Sequence, residues 1–256
     1  MLSLFFKEDF SELYFSDDFM EKVFNFVDKN SNYNISKKME LKRIIFKLKN
    51  SNNFLKDILE FYTSENEFVY LFNRTLRNIE SGMARLSFLI GPMYYTIVRY
   101  LMIENSNLIL SGKNRLYRNI YINRYDLDTY YMAKGHYICF PSFTSTSFKK
   151  GFSPTNNALN VNHIINKKIL LNIELSYKSQ KNNIPQGMIL KHFSINEQEE
   201  ECLLFPFTFI RVKSIKKMEK GIYKLRGKII NKDNILELGL KKGQKVILKN
   251  DILTIE

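Results

Sequence analysis

Residues 199–212 read EEECLLFPFTFIRV: three carboxylates stand directly before a run of apolar and aromatic residues. The run from Cys202 is typical of a buried strand, because aliphatic and aromatic side chains pack well on a pleated surface. Residues two apart on a strand project from the same face, so Glu199 and Glu201 would lie side by side. Neighbouring carboxylates repel each other, and the pattern therefore predicts either an exposed loop or a site for a cationic group.

Ahead of this strand, the spacing of the apolar residues changes once, from helical to strand-like. The first 105 residues carry apolar side chains at helical spacing, with Ser16 and Ser36 as predicted N-caps and Ser64 and Glu67 spaced as a capping box. Helices followed by strands predict an α+β fold with an antiparallel or mixed sheet. The strand-like segments are RLYRNIYI (115–122), HYICFPSFTS (136–145), KILLNIEL (168–175) and GMILKHF (187–193).

Composition limits the function classes. A chain of 256 residues with 45% hydrophobic content can bury a sizeable core. No run reaches the roughly 20 apolar residues of a membrane span, and no secretion signal is seen, so we expect a cytoplasmic protein or a delivered effector. The two cysteines predict reduced thiols, and the three histidines have no metal-binding spacing, so no metal is expected.

The net charge of +13 would attract acidic partners. We favour the interpretation that it reflects a lysine-rich composition, because the lysines scatter around helical patterns like a solvated face. No tract combines basic and aromatic residues in the manner of a nucleic-acid module, so nucleic acid is not an expected partner.

Two further polar interruptions lie within the strand-rich part. Arg118 lies in an alternating strand and is either an exposed edge charge or a phosphate ligand. Ser145, Thr146 and Ser147 either cap the end of a strand or orient a buried carboxylate.

Taken together and in this order, these features resemble the arginine-specific mono-ADP-ribosyltransferases, a family similar in fold to the ecto-enzymes and to cholera-like and binary actin-modifying toxins. LYRNI looks like the family's strand arginine motif, FTSTS like its Ser-Thr-Ser strand, and EEECLLFPFTFIRV like its Glu-x-Glu strand. With YTSENEFVYLFNRTLR ahead of them, the resemblance covers residues 62–212. Glu197 with Glu199 also has the Glu-x-Glu spacing, but the family's catalytic glutamate directly precedes the apolar strand, where this chain has Glu201.

The resemblance implies a split two-sheet β core that binds NAD, which is consumed as a substrate. Arg118 would hold a phosphate of NAD, backbone around Asn119 would meet the nicotinamide, and Ser145, Thr146 and Ser147 would line the NAD site. Ser145 would also hold Glu201, which would stabilise the oxocarbenium-like transition state. The family has glycine where this chain has Asn119, a residue that tolerates left-handed backbone.

Two further residues would meet the acceptor. Glu199 would bind the acceptor guanidinium, and Phe193 would be either a contact for the target protein or a core aromatic. The predicted parts are a helical extension (1–60), the catalytic core (61–218) and a small β appendage (219–256) whose Asn250 and Asp251 form a hairpin turn.

The implied activity is ADP-ribose transfer from NAD to arginine side chains of a target protein. Two alternatives stay open: NAD glycohydrolysis with water as acceptor, and a silent module that binds acidic partners or nucleic acid through its basic surface.

Overall fold

The computed structural model describes parts of a chain that forms two compact units. One unit comprises Met1–Ile109 with Lys191–Glu197, and the other comprises Leu110–Leu190 with Gln198–Glu256. The described residues are 21, 22, 24, 25, 28, 29, 34–49, 106–140, 142–150, 169–178, 186–190, 200–206, 208–219, 221–230, 246–249 and 252–255.

In the first unit, most described residues are helical, and helix α1 spans Ile35–Lys49. Its N-cap is Asn34, whose Oδ1 accepts a hydrogen bond from the backbone N–H of Lys37 at 2.9 Å. The prediction of Ser36 as the cap is wrong, because the asparagine amide already satisfies the first turn and the helix begins one residue before the serine. The predicted capping box at Ser64 and Glu67 lies outside the described residues.

The second unit contains a sheet whose strands are β1 to β10 in chain order. They span Lys113–Ile122, Tyr137–Phe140, Thr144–Ser147, Ile169–Lys178, Gly187–Ile189, Glu201–Leu204, Thr208–Glu219, Ile222–Ile230, Val246–Lys249 and Ile252–Ile255. Their order across the sheet is β5-β6-β3-β1-β4-β8-β7-β2-β10-β9. β4 and β8 run parallel and the other paired strands are antiparallel, so of the two predicted arrangements, antiparallel or mixed, the sheet is mixed.

One face of this sheet carries the hydrophobic core. In β4, for example, Leu171, Ile173 and Leu175 are buried, while the residues between them are half-buried. Fully burying one such side chain contributes about 1.5–3 kcal/mol. The alternation therefore fixes which side chains of each strand point away from the core.

Helix α2, Arg124–Met132, follows β1 and was not predicted from the sequence. Asn123 is its N-cap, with Oδ1 accepting a hydrogen bond from the backbone N–H of Asp126 at 2.8 Å. Leu127 is its buried residue and joins the core cluster. An asparagine cap and an acidic first turn were the available signals for this helix. In the part of the chain that is described, no helix is both long and apolar enough to span a membrane.

Strands β1 and β3 are joined at one position, where Tyr117 pairs with Ser147. By contrast, β1 pairs with β4 at every residue from Lys113 to Ile122. Strand pairing therefore links all the described strands into one sheet, and the link between β3 and β1 consists of one residue pair. The split into two separate sheets that the resemblance implies stays a prediction.

The C-terminal strands differ from the predicted appendage in where they pair. β8 lies between β4 and β7, inside the sheet, although the sequence assigns it to the segment 219–256. Alternation alone does not reveal which strands pair, so an interior strand and a peripheral strand can have the same sequence pattern. Lys249 pairs with Ile252, which confirms the two-residue connection predicted at Asn250 and Asp251. The boundary between residues 60 and 61 lies outside the described residues and stays a prediction.

Glu174 is the half-buried centre of an ion-pair network on the face opposite the core. Its carboxylate lies 2.5 Å from Lys224 Nζ and 3.7 Å from both Arg115 Nη1 and Arg226 Nε. The hydrogen bond from Lys224 and the nearby cations lower the pKa of the Glu174 carboxyl despite its partial burial. A carboxyl whose pKa is lowered by folding stabilises the fold above its ordinary pKa, and this stabilisation is lost as the pH falls through the folded-state value.

We expect Glu174→Gln to lower the free energy of unfolding at pH 7 by about 1–2 kcal/mol, because three cations lose their shared carboxylate. The difference from wild type should shrink as the pH falls from the ordinary pKa of a glutamate through the lowered folded-state value, because the wild-type carboxyl then becomes protonated. Urea unfolding between pH 7 and pH 3.5 measures both effects. The control is Glu219→Gln, an exposed carboxylate of β7, and a Glu174→Gln loss that is unchanged at pH 3.5 would contradict the assignment.

Candidate functional site

The hydroxyl triplet forms a strand of its own. With Thr144 it makes up β3, which pairs with β6 along its whole length and with β1 at Ser147. Ser147 Oγ accepts a hydrogen bond from the backbone N–H of Lys149 at 2.9 Å, directly after the strand ends. The predicted role at a strand end therefore holds for Ser147, whereas Ser145 and Thr146 lie within the strand.

Thr146 fastens β3 to β6. Its Oγ1 donates a hydrogen bond to the backbone carbonyl of Cys202 at 2.6 Å, and both residues are buried. Burial raises the pKa of the Cys202 thiol to about 12, a shift that the Thr146 hydroxyl opposes and the charge of Glu201 increases. Cys202 is therefore a neutral core thiol rather than a nucleophile. Its fixed position in turn holds the preceding residue, Glu201, against β3.

Arg118 contacts β3 where the pairing of the two strands stops. Continued pairing beyond Tyr117 and Ser147 would bring Asn119 opposite Ser145, but the register records no pair there. Instead, Arg118 Nη1 donates a hydrogen bond to the backbone carbonyl of Ser145 at 2.5 Å. The guanidinium has five N–H donors, so this side chain can hold a backbone carbonyl and an anionic oxygen at the same time.

Asn119, which stands at the family's glycine position, lies in ordinary strand backbone. It pairs with Asn172 of β4. Among the described residues other than glycine, only Glu200 has a positive φ. Asn119 therefore does not adopt the left-handed backbone conformation that asparagine tolerates, and it causes no backbone strain.

Glu201 is the first residue of β6 and is only 7% exposed. Its partner across the strands is Ser147, so these side chains share a face with their Cβ atoms about 4.5–5.5 Å apart. Ser145 lies opposite Leu203, on the same face but at a diagonal distance of about 7–8 Å. A buried carboxylate needs hydrogen-bond donors, because desolvation of an unpaired charge is costly. The register therefore makes Ser147 the nearer hydroxyl to Glu201.

Glu200, the middle residue of the Glu-x-Glu motif, has left-handed backbone with φ of 46°. Its carbonyl accepts a hydrogen bond from the backbone N–H of Phe148 at 3.2 Å, and its carboxylate lies 3.1 Å from Lys149 Nζ. Both side chains of this ion pair are half exposed, so the pair contributes at most about 1 kcal/mol. These contacts turn the backbone immediately before Glu201.

The structure thus brings five of the predicted site residues onto three neighbouring strands: Arg118 on β1, Ser145, Thr146 and Ser147 on β3, and Glu201 on β6. Asn119 is next to Arg118 on β1. Glu199 and Phe193 lie outside the described residues, as does Glu197. Within the described parts of the chain, no group of three or more His, Cys, Asp or Glu side chains could hold a metal ion.

Comparisons with known proteins give a likeness of fold. No protein-family model matches the chain, and no curated protein matches its sequence. Three similar solved structures are ADP-ribosyltransferases, and at TM-scores below 0.5 their likeness supports no conclusion about function. They are Vis of Vibrio splendidus in complex with agmatine (17% identity, 93% of this chain and 95% of that chain, TM-score 0.46), HopU1 of Pseudomonas syringae pv. Tomato DC3000 (13%, 84% and 98%, 0.49) and the eukaryotic mono-ADP-ribosyltransferase ART2.2 (16%, 88% and 89%, 0.45).

We expect the Cys202 thiol to be inert in the folded protein. In a Cys139→Ser background at pH 8, native protein should react with Ellman's reagent on the order of 1,000-fold more slowly than guanidinium-unfolded protein, because a pKa near 12 leaves almost no thiolate. The matched control is Lys178→Cys, which places a thiol at an exposed position and should react fast in the native state. Rapid native labelling of Cys202 would show that β6 opens readily.

Proposed function

We propose that this chain transfers ADP-ribose from NAD to arginine side chains of a target protein and releases nicotinamide. The main support is the placement of Arg118, the hydroxyl triplet and Glu201 on the neighbouring strands β1, β3 and β6. A guanidinium, hydroxyls and a buried carboxylate are the groups that this reaction needs around one dinucleotide. The motif resemblance supplies the assignment of each group to its role.

Arg118 is proposed to bind a phosphate of NAD. The phosphate is doubly suited to a guanidinium, because the charges are opposite and the planar donors match two of its oxygens. The hydrogen bond from Arg118 to the Ser145 carbonyl supports this role, since it holds the long side chain beside β3 before any ligand arrives. Preorganisation of this kind reduces the entropy lost on binding.

Glu201 is proposed to stabilise the developing positive charge. As the bond between the ribose C1′ and the nicotinamide nitrogen breaks, its electron pair leaves with nicotinamide and the ribose becomes oxocarbenium-like. A fixed carboxylate in a site of low solvent exposure stabilises that charge more strongly than one in water. The burial of Glu201 supports the role.

Glu199 is proposed to bind the acceptor. A guanidinium is protonated at any ordinary pH, so its nitrogen can attack C1′ only if a base removes a proton during the reaction. Glu199 would accept that proton, and Phe193 would contact the target protein. NAD in this scheme is a consumed substrate, and the scheme includes no metal.

The test measures nicotinamide release from NAD and ADP-ribosylation of agmatine, a minimal guanidinium acceptor. Glu201→Gln should lower both about 100- to 1,000-fold, because the transition-state charge loses its carboxylate. Glu199→Gln should abolish agmatine modification while NAD hydrolysis largely persists. Glu200→Gln is the matched control within the motif and should stay within about threefold of wild type, since it removes only a weak surface ion pair.

Each alternative has a distinct outcome in this assay. NAD cleavage with no agmatine product would favour the glycohydrolase, whose acceptor is water. No NAD binding and no cleavage would favour the silent binding module. Equal loss of transfer and hydrolysis in Glu199→Gln would contradict the role of that residue.

A second experiment identifies the hydroxyl that orients Glu201. We expect Ser147→Ala to lower kcat about tenfold with the KM for NAD nearly unchanged, and to lower it more than Ser145→Ala does, because Ser147 lies directly opposite Glu201. Ser147→Thr keeps a hydroxyl and should restore most of the activity. A larger loss in Ser145→Ala would instead support the role that the resemblance gives to Ser145.

A further inference from the structure

The outward face of strands β1, β4, β8 and β7 is strongly basic. We call it the basic face and define it by the cations that alternate with the core residues of these strands. They are Lys113 and Arg115 of β1, Lys178 of β4, Lys224, Arg226 and Lys228 of β8, and Arg211 and Lys216 of β7.

The charge of this face exceeds what composition explains. The whole chain has 39 basic and 26 acidic residues. The basic face has the eight cations named above against two carboxylates, Glu174 at its centre and Glu219 at one end of β7. Most of the eight cations are exposed, and Lys224 is half-buried. A lysine-rich composition alone would mix the two signs, as it does elsewhere in the chain.

Like charges are placed directly opposite one another across these strands. Lys113 pairs with Lys178, Arg211 with Lys228, and Lys216 with Lys224. Directly opposed like charges on one face of a sheet destabilise it. Glu174 offsets part of this repulsion through its contacts with Arg115, Lys224 and Arg226. A bound polyanion would relieve the remainder.

Aromatic side chains lie on the same face. Tyr117 and Tyr121 of β1 alternate with its core residues, and Tyr121 is 40% exposed. Tyr117 is the partner of Glu174, and Tyr137 of β2 is the partner of Arg211. A tyrosine ring beside a row of cations offers a surface on which a nucleobase can stack while the cations meet the phosphates.

We propose that the basic face binds single-stranded nucleic acid. Along β8 the cations at positions 224, 226 and 228 recur about every 6.5–7 Å, a repeat that a flexible polynucleotide with one charge per nucleotide can follow. The tyrosines provide rings on which bases can stack, an interaction that lipid headgroups and the carboxylates of an acidic protein cannot make.

This binding does not depend on the proposed transfer reaction. It needs no NAD, and none of its eight cations belongs to the candidate site, which the basic face adjoins where Tyr117 pairs with Ser147. It departs from the sequence expectation that nucleic acid is not a partner, because the cations and tyrosines come from five separate strands. No single tract of the sequence contains them together.

The first test uses the full chain and fluorescein-labelled 20-nucleotide dT and U oligomers without NAD, with anisotropy measured from 50 to 300 mM salt. The double variant Arg211→Gln/Lys228→Gln should bind about tenfold or more weakly at 100 mM salt. Its plot of log affinity against log salt should be less steep by about 1.4, since each lost contact to a single strand removes about 0.7. The matched control is Lys29→Gln/Arg43→Gln, which removes the same charges at exposed helical positions and should change affinity less than twofold.

The second test separates stacking from charge. Tyr121→Ala should weaken oligonucleotide binding about tenfold with an unchanged salt slope, and Tyr121→Phe should bind like wild type, because stacking needs the ring and not the hydroxyl. Thermal unfolding of each variant reports whether the fold is intact.

Three outcomes would overturn the proposal. They are no oligonucleotide binding below about 100 µM, binding to vesicles containing 30% phosphatidylserine but not to oligonucleotides, and equal affinity for polyglutamate of matched charge with no effect of Tyr121→Ala. Each leaves the NAD assays unaffected, so failure here and failure of the transfer reaction are distinguishable.

Discussion

The pairing of Tyr117 with Ser147 is the constraint on which the candidate site depends. It is the position at which β5, β6 and β3 connect to the other seven strands of the sheet. Because Ser147 also faces Glu201, one row of paired residues runs from the carboxylate to β1. Beyond this pair, the Arg118 side chain contacts β3 through its hydrogen bond to the Ser145 carbonyl. If the pairing of β1 with β3 continued, the backbone of Asn119 would reach the Ser145 carbonyl in place of the arginine side chain.

Strand β1 contributes to two different surfaces through its alternation. Leu116 and Arg118 project to one side, whereas Arg115, Tyr117 and Tyr121 project to the other, which is also the side of Ser147 and Glu201 through the pair of Tyr117 with Ser147. The two surfaces use cations differently. Arg118 is a single, partly buried cation held by a backbone carbonyl, and the basic face is a broad array in which the central cations share the carboxylate of Glu174. The first arrangement favours one defined anionic group, and the second favours many phosphates without a fixed register.

The sequence predicted much of the sheet because its signals there are local. Period-two alternation gave the strands, and Asn250 and Asp251 gave the hairpin connection. The start of an apolar run at position 202 correctly placed Glu201 at the beginning of a strand. These features depend on neighbouring residues, and so they are visible without the fold.

The features that the sequence did not predict depend on pairing between residues that are far apart in the chain. It did not reveal that Ser147 rather than Ser145 faces Glu201, because register comes from strand partners 54 and more residues apart in the chain. The basic face was missed for the same reason, since its cations lie between Lys113 and Lys228. Helix α2 was missed because a helix of 9 residues shows too few turns to establish a period. The roles of Glu199 and Phe193 stay predictions.

The interior position of β8 has a consequence for how this chain can fold. β4 gains its second neighbour only when residues 222–230 are present, more than 40 positions later, and β7 needs the same strand. Contacts between residues so far apart form slowly, because the loop must close before the contact stabilises it. Until β8 inserts, two apolar strands would have open edges that other chains can pair with. The interval between synthesis of β4 and insertion of β8 is therefore the period in which this protein is most prone to aggregate, and a chain truncated before β8 would remain in that condition.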